Sequence, residues 1–332
     1  MEMVQLTRYA AACGHVTRLR ALLLLIWLSF ISAAGAQDRA EIQIRGAKIN
    51  VNLAPSPSKE LRGLVMNRLE TAAQAVAVYY EQYPVPRVTI DVTFDDQEGV
   101  HSGRAAGWDG AHIWVSVGTS TTAADLADDW ITTHEMVHLA FPSVPRSHHW
   151  IEEGLATYVE PIARARAGEL TPEKVWGDMF DSMQQGLPKL GDRGLDFTHT
   201  WGRTYWGGAL YCLQADVEIR KETGNRRGLE DAMRGILKSG GNIEMEWPLE
   251  RALQVADQAA GVGVLEELYN KMRAAPAAPD LDRLWKDLGV SRQGDKIVLD
   301  DTAPLAAVRR AITAPVPHDA VPRTDLSIGP ES

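Results

Sequence analysis

The chain has 332 residues, 45% of them hydrophobic and 23% charged, the composition of a globular protein rather than a disordered or coiled-coil one. Asp and Glu number 44 against 34 Lys and Arg, for a formal net charge of −10. Phosphate recognition needs clustered cations, so no nucleic acid is expected as a partner. The length suffices for one large domain or two lobes, each with its own core.

The first 36 residues differ from the rest. Arg8, Arg18 and Arg20 against Glu2 give them a charge of +2, so the remainder carries −12. The basic stretch leads into the apolar run Ala21–Ile31 and then Ala34-Gly35-Ala36. Basic, apolar, then small-x-small is the order of a secretory signal cleaved after Ala36, and the apolar run is shorter than the roughly 20 residues of a spanning helix. The alternative is an uncleaved anchor. No later segment is apolar enough to span, so no stable membrane span is expected after cleavage. Cys13 falls in this segment, which leaves Cys212 without an intrachain partner. The chain has no Asn-x-Ser/Thr sequon, and export without disulfides or sequons points to a bacterial periplasm or secretion.

From 41 to 51 apolar residues alternate as in a strand, and 55–58 breaks the pattern. Helical spacing of Leu61, Leu64, Val65, Leu69, Val76 and Tyr80 predicts a helix over 59–83, ended by Pro84 and Pro86. Alternation returns at 88–94 and at 112–117, joined through a glycine-rich loop at 103–110 that reads as a lid or rim. Hydroxyl caps at 119–122 open a helix expected to run to about Ala140, and a second helix is expected at 149–160, closed by Pro161. Beyond it the pattern is almost wholly helical: 173–185, 203–223, 227–238, 248–260, 264–272 and 281–288. A strand at 296–299 and a helix at 304–312 precede a Pro-rich polar tail. The expected organisation is α+β: a signal at 1–36, a small mixed α/β lobe at 37–160, a mainly helical lobe at 161–313 with a cleft between the two, and a disordered tail at 314–332.

The segment His134-Glu135-Met136-Val137-His138 carries the chemistry. Residues i and i+4 share a helix face, so both imidazoles can point at one ion, and neutral imidazole suits zinc. Glu135 projects about 100° round the helix from His134, within reach of a metal-bound water without being a ligand. Its task would be to take the proton as that water attacks a carbonyl. Position 144, where a closely spaced third histidine would stand, is Val144, and no cysteine is at hand. The second acidic helix offers Glu152 or Glu153 as third ligand, and periodicity does not choose between them.

At Trp150-Ile151-Glu152-Glu153-Gly154-Leu155-Ala156 the chain resembles the gluzincin metallopeptidases, in particular the glycyl aminopeptidase family and its aminopeptidase N-like relatives. Their signature is H-E-x-x-H followed by a W-x-x-E-G-x-A helix whose glutamate, just before the glycine, is the third zinc ligand. The resemblance therefore assigns that role to Glu153. It continues at Tyr205-Trp206-Gly207-Gly208-Ala209-Leu210, similar to a Y-x-K-G-A-L segment whose tyrosine stabilises the oxyanion, which implies that role for Tyr205. It extends over about 100–290 and implies a thermolysin-like catalytic core, one zinc ion per chain and a peptide or protein substrate. Gly207 stands where the family has lysine. The 107–118 stretch holds Asp109 but no counterpart of the G-x-M-E-N glutamate that binds a substrate's free amine, which leaves aminopeptidase and endopeptidase modes both open.

The expected function is that of an exported zinc metallopeptidase using Glu135 and Tyr205 at a site built by His134, His138 and Glu153. The rivals are a non-catalytic periplasmic binding or scaffold protein on the same fold, and a zinc hydrolase of a non-peptide substrate. His148, His149, His199, Arg203 and Thr157 are further candidates near the cleft, with solvated or packing roles as their ordinary explanation.

Overall fold

The computed structural model describes residues 38–316 and 325–327. The signal-like segment at 1–36 and most of the tail at 314–332 lie outside them. The expected strand at 41–51 is two strands, β1 (Asp38–Ile44) and β2 (Ala47–Ala54), paired antiparallel with Ile44 opposite Ala47. A two-residue turn at Arg45–Gly46, both with positive φ, reverses the chain without breaking the alternation, so Ile42, Ile44, Ile49, Val51 and Leu53 all reach the core. After helix α1 (Lys59–Tyr80), capped by the Ser58 hydroxyl, come β3 (Arg87–Asp95), β4 (Val100–Ala106) and β5 (His112–Gly118).

These strands and β8 (Asp325–Ser327) form one sheet in the order β4-β5-β3-β2-β1-β8. β2, β3 and β5 run parallel; β4, β1 and β8 are antiparallel to their neighbours. Part of the segment read as a loose tail thus pairs with β1. The glycine-rich stretch read as a lid begins within β4, an edge strand of the sheet. β5 lies inside the sheet, between β4 and β3.

The helix expected over 119–140 is broken. Thr122 and Asp125 form a capping box that opens α2 (Ala123–Asp128), and Asp129 is extended, with ψ 118°. The Asp129 carboxylate then accepts the Thr132 N–H and so starts α3 (Ile131–His138). Buried Arg68 of α1 fixes this junction through Asp129 Oδ2 at 2.9 Å, the Asp129 carbonyl at 2.8 Å and Thr133 Oγ1 at 2.6 Å.

A loop returns the chain to α4 (His149–Arg166), which runs through Pro161 instead of ending there. The rest is helical: α5 (Pro172–Ser182), a π-helical turn at Arg203–Gly207, α6 (Gly208–Thr223), α7 (Leu229–Lys238), α8 (Leu249–Ala260), α9 (Val264–Met272), α10 (Leu281–Leu288) and α11 (Ala306–Thr313). A small hairpin of β6 (Val290–Gln293) and β7 (Lys296–Leu299) separates the last two. α4 crosses α6 where Gly154 meets Gly208: a Cβ on Gly154 would lie 2.3 Å from Gly208 Cα. The glycine after Glu153 is thus a packing requirement, and it sets the acidic helix against the segment that carries Tyr205. No described helix is long and apolar enough to cross a membrane.

Candidate active site

α3 lies between edge strand β4 and helix α4. Gly103 of β4 makes the first contact possible: a Cβ there would stand 2.5 Å from Ile131 Cγ2 and 2.6 Å from Glu135 Cγ. The strand therefore rests directly on the helix that carries His134, Glu135 and His138. α4 closes the other side and brings Glu153 to the two histidines. Glu153 Oε2 is 3.2 Å from His134 Nε2 and 3.6 Å from His138 Nε2. One donor atom each from His134, His138 and Glu153 lie within 4.8 Å of one another. The cluster has two imidazoles and one carboxylate and faces an open cleft of about 810 Å³, a donor set that fits a zinc ion with room for a further ligand.

The surroundings act on each group. Burial lowers the pKa of His134, which keeps it in the neutral form a metal requires, and its Nδ1 is buried without a partner. For His138, burial opposes charging, but hydrogen bonding and attraction to Glu153 outweigh it and the pKa is raised. Burial would raise Glu153, yet hydrogen bonds from His134, His138 and His149 hold the carboxylate far below its ordinary range. Glu135 is buried beside the cluster, and that burial raises its pKa. Tyr205, in the π-helical turn, is pushed up to about 12, first by burial and then by the charge of Glu153, to which its hydroxyl is hydrogen-bonded. Its ring stacks between those of His134, at 6.3 Å, and Trp201, at 5.6 Å.

All five residues singled out in the sequence thus line one cleft. The neighbouring candidates separate. Arg203 is buried and donates to the Gly186 carbonyl, a packing role, and His199 is exposed. His148 turns away to Asp196, which also accepts from Trp150 and Tyr269. His149 does reach the site, with Nε2 3.2 Å from Glu153 Oε1. Its position four residues before Glu153 on the same helix was the available signal. Sequence reasoning also missed β4 as the cleft wall, because no local signal shows that Gly103 meets the helix beneath it. Thr157 lines a second pocket of about 390 Å³ with Trp130, Trp201, Trp206 and Met179; this pocket shares Trp130, His134 and Tyr205 with the main cleft.

Fold and site together describe an α+β protein, with a sheet and a helical part, that carries a two-histidine, one-glutamate cluster on α3 and α4. No protein-family profile and no curated protein matches the sequence. Among solved structures, the chain is similar to an aminopeptidase N family protein from Idiomarina loihiensis, with TM-score 0.60 and 14% identity over 78% of this chain and 50% of that one. Two M1 zinc metallopeptidase structures are also similar. One is a two-domain mutant bound to L-arginine, with TM-score 0.49 and 14% identity. The other, from Deinococcus radiodurans, has TM-score 0.47 and 14% identity, and each match covers 74% of this chain and 53% of the other. The chain spans about half the length of the structures it resembles, and the likeness to the Idiomarina protein establishes the fold.

Proposed function

We propose that this chain is an exported zinc metallopeptidase with a thermolysin-like core. The observation that carries the reading is the convergence of His134, His138 and Glu153 on one point, with buried Glu135 and the Tyr205 hydroxyl beside it in an open cleft. A zinc ion held by the three ligands would supply a Lewis acid that polarises water and the scissile carbonyl. Glu135, its proton affinity raised by burial, accepts the proton of the attacking water and passes it to the leaving amine. Tyr205 stays protonated through the neutral range and donates to the developing oxyanion. An extended peptide has an edge strand to dock on, because β4 ends the sheet on this side and its residues from His101 to Ala106 line the cleft. The aromatic side pocket beside His134 and Tyr205 offers a place for a bulky apolar side chain. β4 carries no carboxylate that could anchor a substrate amine. The signal-like order of 1–36 supports export.

The test joins metal analysis to peptide-library cleavage by the wild type and Glu135→Gln. The expected result is about one zinc per chain in both proteins, with hydrolysis reduced about 10²–10⁴-fold in the variant. Equal cleavage by the two would overturn the assignment of Glu135. A wild type that binds zinc and cleaves no peptide would favour the binding-protein reading. Stepwise trimming from the amino end would identify an aminopeptidase, and internal cuts an endopeptidase.

A further inference from the structure

His149 has no task in the chemistry above, yet it touches a residue that does. It sits in the first turn of α4 with its side chain half exposed on the rim of the cleft. Its Nε2 lies 3.2 Å from Glu153 Oε1, whereas His134 and His138 both face Oε2. The two oxygens of one carboxylate are thus divided, one to the histidine pair of α3 and the other to His149. The second nitrogen of His149 is also engaged, with Nδ1 2.8 Å from Glu152 Oε2. The remaining oxygen of Glu152 accepts the Val144 backbone N–H at 3.2 Å. A continuous chain of polar contacts therefore runs from the loop after α3, through Glu152 and His149, to Glu153. His149 lies outside the group whose donor atoms could surround one ion.

We infer that His149 is a positioning residue: oriented by Glu152, it holds Glu153 Oε1 and so presents Oε2 alone to a zinc ion between His134 and His138. The inference rests on the zinc peptidase reading and refines it. A free carboxylate on this helix could rotate about its terminal bond and offer either oxygen or both. Tied to an imidazole that is itself tied to a second carboxylate, it has one orientation. The same chain explains the adjacent pair Glu152-Glu153: one carboxylate faces the metal position, and the other fixes the histidine that aims it. Partners of this kind typically contribute 10–100-fold in metal affinity.

The experiment measures zinc affinity by chelator competition on the full chain for the wild type, His149→Ala, His149→Gln and Glu152→Ala. Melting curves of the metal-free proteins verify that each variant is folded. Zinc X-ray absorption counts the nitrogen ligands. His149→Ala is expected to bind zinc about 10–100-fold more weakly with the same two nitrogens around the metal. His149→Gln, which keeps an N–H donor, should recover part of the loss, and Glu152→Ala should show a smaller loss in the same direction. Unchanged affinity in a folded His149→Ala would overturn the inference while leaving the peptidase reading intact. Loss of one nitrogen ligand in that variant would also overturn it, by making His149 a ligand. A wild type that binds no zinc would remove both.

Discussion

Two clusters of buried charge in this protein are built on opposite plans. Among the later helices, Arg220 binds Asp216 at 2.8 Å and both oxygens of Glu230 at 2.7 and 2.8 Å, and Arg166 binds Glu230 Oε1 at 2.9 Å. The Tyr158 hydroxyl and the Leu229 N–H complete the coordination of Asp216. Two cations meet two anions there, and the carboxylates are filled by donors from α4, α6 and α7. In the cleft, Glu135 and Glu153 lie buried beside two histidines, one of which burial drives toward neutrality. No lysine or arginine among the described residues pairs with either carboxylate. A charge cluster that closes on itself holds helices together. One whose buried carboxylates meet imidazoles, with no lysine or arginine to close on, leaves two histidines and a carboxylate converging on one point, and that open donor set is the physical argument for a metal.

The comparison breaks most directly on metal removal. Chelation should reduce peptide hydrolysis to background, and added zinc should restore it. It should also lower the melting temperature, because an ion that binds only the folded state stabilises it by mass action. A melting curve indifferent to chelator and zinc would show the cleft cluster to be as self-sufficient as the helical one.

The next effect falls on the other cluster. Arg220→Ala leaves Asp216 and Glu230 buried and under-compensated and should destabilise the fold by about 3–5 kcal/mol. Denaturant titration measures the loss. Zinc bound per folded molecule should be unchanged, since the network does not touch the cleft.

Tyr205→Phe removes one donor from the site and nothing from the core. Activity should fall about 10²–10³-fold in kcat with zinc content unchanged.

How far this architecture was legible in the sequence follows from the range of the interactions. The pair His134 and His138 is a local fact of helix geometry, and the spacing sufficed to place both on one face. The alternation at 88–94 and 112–117 likewise reports a buried face at short range. The long-range choices were less visible. Periodicity left Glu152 and Glu153 equal, and what separates them in space is that Glu152 is held by Val144 and His149 while Glu153 faces α3. The break at Asp129 depends on Arg68, sixty-one residues earlier. Gly103 reads as loop chemistry until the helix beneath it is known, because its reason is the close approach of Ile131 and Glu135. Pro161 looked like a stop, yet the helix continues past it, with Arg164 bound to Glu160 across that turn.

The smallest effect, and the one that separates the clusters most finely, is their behaviour in acid. Burial alone would raise the pKa of Glu230, but the attraction of Arg166 and Arg220 outweighs it and holds the carboxylate at about 2. Its value in an unfolded chain is near 4.5. A carboxylate depressed in the folded state contributes stability that is fully present above the unfolded value, and that stability is lost as pH falls through the folded one. The contribution should therefore decay between about pH 4.5 and pH 2. Asp216 acts with the opposite sign, because burial raises its pKa and the folded protein takes up that proton more readily than the unfolded chain does. The slope assigned to Glu230 is isolated by Glu230→Gln, which should be less stable than the wild type at pH 6 and should lose less stability on acidification to pH 2.5. Because chelated protein keeps this network intact, the Glu230-dependent part of the acid slope should be the same with and without zinc. A slope that vanished with the metal would mean that the two clusters are coupled through α4, which carries Glu153 near its start and Arg166 at its end.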